Sequence, residues 1–234
     1  MSLGASAAGP PAVGHRSPYA LAVIKPAVAR LWFAATAVVV AVGIVTQLFA
    51  TADLHTGFFD TQRGRVLSVF AYFTIQSNII VMVTSALLAV RIKRKPEWFW
   101  VLRLDGVLCI AVTFVVFHLA LSDLQDLEGK AKTADFLLHT VSPVLCVLGW
   151  LLFGPRGRTS WRVVQLAVVF PLAWLVFALT LQQLTDGFSM YPFLDVADNG
   201  WPRVLFNAAV VAVFFLGLAA AAHLLDERLR GRRR

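Results

Sequence analysis

Six apolar runs, each close to the length of helix that crosses a bilayer, constrain this chain more than any other feature. They cover residues 31–50, 67–90, 104–121, 136–153, 163–182 and 204–225. A membrane-spanning helix takes about 20 apolar residues. The chain is 59% hydrophobic and 15% charged, whereas a soluble domain carries roughly a quarter of its residues charged. One small core cannot hide that much apolar surface, so the expected fold class is all-α: a polytopic bundle of six transmembrane helices. Residues 1–30 hold Pro10, Pro11, Pro18 and Pro26 without an uninterrupted apolar stretch. They read as a disordered cytoplasmic leader and not as a signal peptide. Residues 31–226 then make the transmembrane domain, and 227–234 a basic tail. Cys109 and Cys146 both lie in apolar runs with no partners at disulfide or metal spacing. They read as small buried hydrophobes, and neither a metal nor a cofactor is implied.

The segments between the runs indicate orientation. Sixteen basic residues fall in the leader, the segment after run two, the segment after run four and the tail, against five in the alternate segments (Arg63, Arg65, Lys130, Lys132 and Arg203). Lys and Arg accumulate on the cytoplasmic side, so the expectation is N-in and C-in. The expected location is a bacterial inner membrane, in keeping with 16 Arg against 5 Lys and abundant Ala and Val. The side of the three alternate segments is acidic instead, with nine of the thirteen carboxylates. Trp98, Trp100 and Trp161 on one side, and Tyr191 and Trp201 on the other, read as aromatic belts. The net charge of +8 is thereby explained as a topology signal and a contact for anionic lipid, with no nucleic-acid partner. Asp105 reads as an edge residue paired with Arg103 or a neighbouring helix.

Polar groups inside spans are costly and worth reading singly. Thr74, Ser77 and Asn78 share one face of the second run at i, i+3 and i+4, and Ser85 falls on it further down. His139, Ser142, Cys146 and Gly149 form a stripe on the fourth. His118 closes the third run, Gln182 and Gln183 end the fifth, and Asn207 lies one turn into the sixth. At 1.5 Å per residue, Thr74 lies roughly 10 Å below the end of its run and each histidine roughly 5 Å below its own. All belong to the half of the membrane opposite the basic side. A hydroxyl, an imidazole and amide donors are the parts that acyl transfer needs: Thr74 as nucleophile, His139 as base, and Asn78 or Asn207 for the oxyanion. Ser77, His118 and Ser142 are further pocket candidates. The same groups also serve as ordinary interhelical stitches, Thr by bonding the preceding turn. A single haem between His118 and His139 is a third arrangement, without an arginine for its propionates.

Three segments carry a resemblance: Phe73-Thr74-Ile75-Gln76-Ser77-Asn78, Leu137-Leu138-His139-Thr140-Val141-Ser142-Pro143 and Tyr191-Pro192-Phe193-Leu194-Asp195. Together with the six-run layout they resemble the androgen-induced, androgen-dependent integral membrane protein family, and its actinobacterial branch in particular. The animal members are described as threonine hydrolases that cleave branched fatty-acid esters of hydroxy fatty acids. The resemblance implies a Thr on the second helix and a His on the fourth as the catalytic pair, which fall on Thr74 and His139. It implies membrane lipid and a lipid ester as partners. Tyr191, Pro192, Phe193 and Asp195 would cap the site, with Asp195 reaching a histidine as a triad acid would; a plain interfacial turn is the simpler reading. The alternative function is a non-catalytic lipid-binding scaffold or a small-solute transporter. A transporter would want broken or polar helices at the midplane, and the runs are apolar there apart from Cys146, Thr113 and Pro171. Oligomeric state is not encoded in any pattern found.

Overall fold

The computed structural model describes residues 26–93, 96–124 and 126–231; most of the expected leader and the last residues of the basic tail lie outside them. The described residues form helices and turns and no strand. Six helices are long and apolar enough to cross a membrane: Pro26–Ala52, Phe73–Val90, Glu97–Leu124, Gly129–Phe153, Trp161–Leu184 and Val196–Arg230. We label the elements α1 (Pro26–Ala52), α2 (Gln62–Ser68), α3 (Phe73–Val90), α4 (Glu97–Val116), α5 (Gly129–Phe136), α6 (Ser142–Phe153), α7 (Trp161–Ala167), α8 (Val169–Leu184) and α9 (Val196–Gly231). A π-helical turn, Phe117–Leu121, prolongs α4, and another, Leu137–Val141, joins α5 to α6.

The helices alternate in direction, as contacts at their ends make plain. At one face Arg30 Nε donates to the Ala89 carbonyl (2.7 Å), joining the start of α1 to the end of α3. Arg162 pairs with Glu97 there (2.8 Å). Asp226 accepts the N–H groups of Arg158 and Thr159, both at 2.9 Å. We call this the terminal face. At the opposite face Lys130 pairs with Asp53 (2.8 Å). The guanidinium of Arg65 donates there to the carbonyls of Leu54, Phe59 and Asp60, tying down the first loop.

The centre of the bundle is α4, which packs against α3, α6, α7 and α9. Half of the third span's apolar window is buried inside the protein, against 17% for the sixth, so α9 is an edge helix. Large apolar side chains point outwards along the spans, among them Val38, Val42 and Phe49 on α1, Val169 and Val176 on α8, and Val210 and Val213 on α9. Inside, Thr36, Ser77, Asn78, Thr84, Ser85 and Ser142 are at most 1% exposed. An apolar exterior around a polar-stitched interior is the inverse of a water-soluble protein, and lipid is the solvent that suits it.

Several boundaries differ from the expectation. The second run is not one helix: Tyr72 has extended backbone (φ −66°, ψ 135°) and separates a 3₁₀ turn, Val69–Ala71, from α3. Its ring, packed against Phe188 and Tyr191, anchors the break. Thr74 is therefore the second residue of α3, not a residue about two turns into its helix. The third span starts at Glu97, directly after Pro96, which brings Arg103 and Asp105 inside a helix where both are buried. They do not pair, since residues two apart on a helix face away from each other; Arg103 Nη1 lies 3.6 Å from Cys146 Sγ instead. Trp100 and Tyr191 are core residues and not belt residues, whereas Trp98, Trp161 and Trp201 are exposed. The helix of α9 breaks at Gly200, whose φ of +71° favours glycine, so the sixth span proper begins at Trp201. Cys109 and Cys146 are both buried and free.

Close approach between α1 and the fourth span depends on glycine. A Cβ on Gly149 would stand 2.8 Å from Trp32 Nε1 and 3.2 Å from a Phe33 ring carbon, and Trp32 donates to the Leu145 carbonyl (3.0 Å). Gly149→Leu should therefore overpack this contact and cost roughly 1–3 kcal/mol, read as a lowered melting temperature of the purified protein in detergent.

Candidate active site

The break at Tyr72 leaves the first N–H groups of α3 without helical acceptors, and Thr74 is among them. Its N–H donates to the hydroxyl of Tyr191 (3.2 Å), a residue 117 positions away. The Thr74 side chain sits at the same point: Oγ1 is 3.3 Å from the Tyr191 hydroxyl and 3.2 Å from His139 Nε2. The other imidazole nitrogen, Nδ1, is 2.8 Å from Asp135 Oδ1, one helical turn back. An ionised carboxylate only accepts, so Nδ1 carries the hydrogen and Nε2 presents its lone pair to Thr74. The four groups then donate in one consistent direction. Thr74 N–H donates to Tyr191 oxygen, Tyr191 O–H to Thr74 Oγ1, Thr74 O–H to His139 Nε2, and His139 Nδ1–H to Asp135.

Why His139 stands there follows from Pro143. The N–H of Ser142 reaches back five residues to the Leu137 carbonyl, the π-helical register. In that register the Leu138 carbonyl faces Pro143, which has no N–H to offer. Asn78 Nδ2 supplies the missing donor at 3.2 Å and also bonds the Thr74 carbonyl at 2.8 Å. Ser142 Oγ in turn donates to Asn78 Oδ1 (2.6 Å). Asn78 thus fastens the turn that carries His139 to the turn that carries Thr74. Phe117, from the other π-helical turn, stacks flat on the imidazole with centroids 4.0 Å apart and planes 7° apart, holding the ring edge-on to the hydroxyl.

Tyr191 belongs to a segment fastened over the site. Its ring packs against Tyr72, Trp174 and Phe193, and Pro192–Leu194 forms a 3₁₀ turn. Asn207 Nδ2 donates to the Phe193 carbonyl (2.8 Å), and Gln182 Oε1 accepts the N–H of Val196 (3.1 Å). Burial pushes the Tyr191 phenol up to about 12, so it stays a neutral donor across the physiological range.

Thr74, His139 and Tyr191 lie on the wall of a cavity of about 280 Å³, near the lower end of small-molecule sites (roughly 300–1,000 Å³). The rest of its lining is almost wholly apolar. Leu172 and Leu216 line it and are about half exposed (52% and 51%). The helix α9 packs on α4 and α7 and leaves α8 loosely covered here. The cavity wall thus includes residues of both the fifth and the sixth spans, among them Leu175 and Val211.

The structure brings together Thr74 and His139 from the expected group and places Tyr191, expected only as a cap, in direct contact with Thr74. Pro192 and Phe193 form the cap beside it. The other candidates stand elsewhere. Asn78 and Ser142 are bonded to each other behind the site, and Ser77 Oγ bonds the Phe73 carbonyl (2.6 Å). Asn207 is taken up by Phe193. His118 is exposed, with Nδ1 on the Phe114 carbonyl and Nε2 near Thr140. Asp195 accepts from Ala197 and Asp198 N–H and caps its own helix, so it orients no histidine. That place is held by Asp135, which sequence reasoning counted among loop acids. Its spacing four before His139 was the available signal. Comparison of the chain with family models, characterised proteins and solved structures finds no match.

Removing the Tyr191 hydroxyl strands the Thr74 N–H, so Tyr191→Phe should cost about 1–3 kcal/mol. The phenol is raised from 10.0 to about 12 by burial, so the unfolded chain loses this proton first as pH climbs. Its contribution is complete below pH 10 and declines as pH rises from 10 towards 12. Thermal melts should show the wild-type advantage over Tyr191→Phe shrinking across that window.

Proposed function

We propose that the protein is a membrane-embedded threonine hydrolase that cleaves lipid esters, with Thr74 as nucleophile and His139 as general base. The observation that carries this reading is the chain from Thr74 Oγ1 to His139 Nε2 (3.2 Å) and from His139 Nδ1 to Asp135 (2.8 Å) on the wall of an apolar cavity lined by the fifth and sixth spans. A structural threonine needs one acceptor in the preceding turn; it does not need an imidazole backed by a carboxylate. The resemblance to the androgen-dependent integral membrane protein family supports the same pair.

In this reading an ester enters from the lipid with its carbonyl carbon against Thr74 Oγ1. The oxygen attacks, its proton passes to His139 Nε2, and Asp135 stabilises the imidazolium and keeps it in place. The negative carbonyl oxygen is met by the positive end of α3, whose first N–H groups lie at Thr74, and by the Tyr191 hydroxyl turned from Oγ1. Collapse breaks the bond to the alcohol oxygen, which takes the proton from His139. An acyl-threonine remains. Water then attacks it, giving a proton to His139; the acyl–Oγ1 bond breaks, and His139 returns that proton to Thr74 Oγ1 as the acid leaves. Apolar walls strengthen each of these electrostatic contacts by excluding water.

Thr74→Ala and His139→Ala should each abolish hydrolysis of a fatty-acid ester and labelling by a fluorophosphonate probe, and the double variant should be no worse than either. Thr74→Ser should retain part of the activity. Asp135→Asn should lower kcat by roughly 10²-fold or more through the wrong tautomer. Wild-type protein that neither hydrolyses esters nor reacts with the probe would leave the lipid-holding scaffold as the better account.

The membrane placement we infer is a bacterial inner membrane with both termini cytoplasmic, on the sixteen-to-five split of basic residues. Hydrolysis then takes place in the outer half of the bilayer. The native cysteines are buried, so single additions can be read cleanly. Glu128→Cys should react with an impermeant thiol reagent in whole cells, and Lys93→Cys only after permeabilisation. The opposite pattern would overturn the orientation.

A further inference from the structure

A second site lies at the terminal face, far from the Thr74 relay, and is built around a cation without a counter-charge. Arg103 is 3% exposed. Among the described residues no carboxylate oxygen comes within 4.0 Å of its guanidinium. Its contacts are long and neutral: Cys146 Sγ at 3.6 Å, the Cys146 carbonyl at 3.5 Å and the face of Phe33, 5.3 Å to the centroid. A buried charge left this way costs several kcal/mol.

Arg103 lines a narrow slot together with Arg158, Trp100 and Trp150. Trp100 contributes a second unmet donor, since its buried indole N–H has no partner among the described residues. Arg158 lies over the Trp100 ring, 5.4 Å to the centroid, and is exposed at the mouth. The loop that carries it is held rigidly. Asp226 takes the N–H groups of Arg158 and Thr159 (both 2.9 Å), and His223 Nδ1 donates to the Thr159 carbonyl (2.5 Å). Asp226 is a nearby negative charge, but it faces the loop backbone and pairs with neither guanidinium within 4.0 Å. Apart from the Thr159 hydroxyl, which can donate as well as accept, the polar side chains of the slot are donors. Its volume of about 20 Å³ holds one water-sized atom.

We propose that this slot binds a phosphate group, with one oxygen inserted between Arg103 and Trp100 and the remainder at the mouth beside Arg158. Phosphate suits the planar fork of arginine, which binds it through paired N–H donors. The depth suits the headgroup of an anionic lipid. Arg103 is six residues from the start of α4, roughly 9 Å along the axis, and the exposed Trp98 and Trp161 mark the interface nearby. A bound headgroup would splint α4, α6 and the Gly154–Thr159 loop together. The site is independent of whether Thr74 is a nucleophile.

The test uses delipidated full-length protein in detergent, with melting temperature followed against phosphatidic acid, the matching diacylglycerol and inorganic phosphate. Phosphatidic acid should raise the melting temperature saturably, and diacylglycerol should not. Stabilisation by inorganic phosphate at similar concentration would support the slot and assign it to the free anion; stabilisation by the lipid alone assigns it to a headgroup. Arg103→Gln should weaken the apparent affinity on the order of tenfold or more, and Trp100→Phe by several-fold. Arg91→Gln, an exposed change on the same face, should leave it unaltered. Should Arg103→Gln fail to fold, Trp100→Phe decides. Equal stabilisation by diacylglycerol, no stabilisation by any of the three, or wild-type affinity in the folded slot variants would overturn the proposal.

Discussion

A backbone N–H or C=O without a partner costs several kcal/mol in hydrocarbon, because no water is there to replace it. That cost governs this bundle wherever a helix is interrupted, and the interruptions are concentrated at one end. The chain breaks helical register at Tyr72, through Phe117–Leu121 and Leu137–Val141, and again at Gly200. Groups set free nearby are met from another helix or loop: Thr74 N–H by Tyr191, the Ala71 carbonyl by Trp174 (2.9 Å), the Leu138 carbonyl by Asn78. Each such bond joins distant parts of the chain. Satisfying the broken ends is what draws the Tyr191 segment over the bundle and brings α3 against the fourth span.

The polar chain at Thr74 grows out of these repairs. Asn78 is held on two carbonyls and on Ser142, so the helical turns bearing Thr74 and His139 cannot slide past each other. Phe117 fixes the imidazole plane, and Asp135 fixes which nitrogen carries the hydrogen. A hydroxyl, imidazole and carboxylate kept at 3.2 and 2.8 Å among apolar walls keep their geometry without help from solvent. In such surroundings a fixed dipole acts with much more force than in water. The start of α3 adds a partial positive charge at the same point.

The two ends of the bundle solve opposite problems. Around Thr74, uncharged donors and one carboxylate are matched to one another. At the terminal face, Arg103 and the Trp100 indole are left with unmet donor capacity, while acids such as Asp226 are committed to backbone N–H groups. Between the two ends the core is largely apolar side-chain packing, with Leu104, Leu108 and Ile110 of α4 at its centre and buried polar groups such as Thr36, Thr84 and Asp105 set into it. Neither site shares a residue with the other, so they can be altered separately.

Periodicity and charge along the chain were sufficient for the six spans, because hydrocarbon thickness imposes a length that any apolar run must meet. They also placed Thr74, Ser77 and Asn78 on one helical face and Ser142 one turn beyond His139, since such relations need only 3.6 residues per turn. Asp135 was legible by the same rule, four residues before His139, and was missed because its neighbours look like a loop. The break at Tyr72, the burial of Arg103 and the capping role of Asp195 were beyond reach, as each depends on what packs against it. The contact that completes the site, between Thr74 and Tyr191 across 117 residues, belongs to tertiary structure alone. Sequence determined which residues could share a helix face; only packing decided which faces meet, because an interhelical hydrogen bond has no period along the chain.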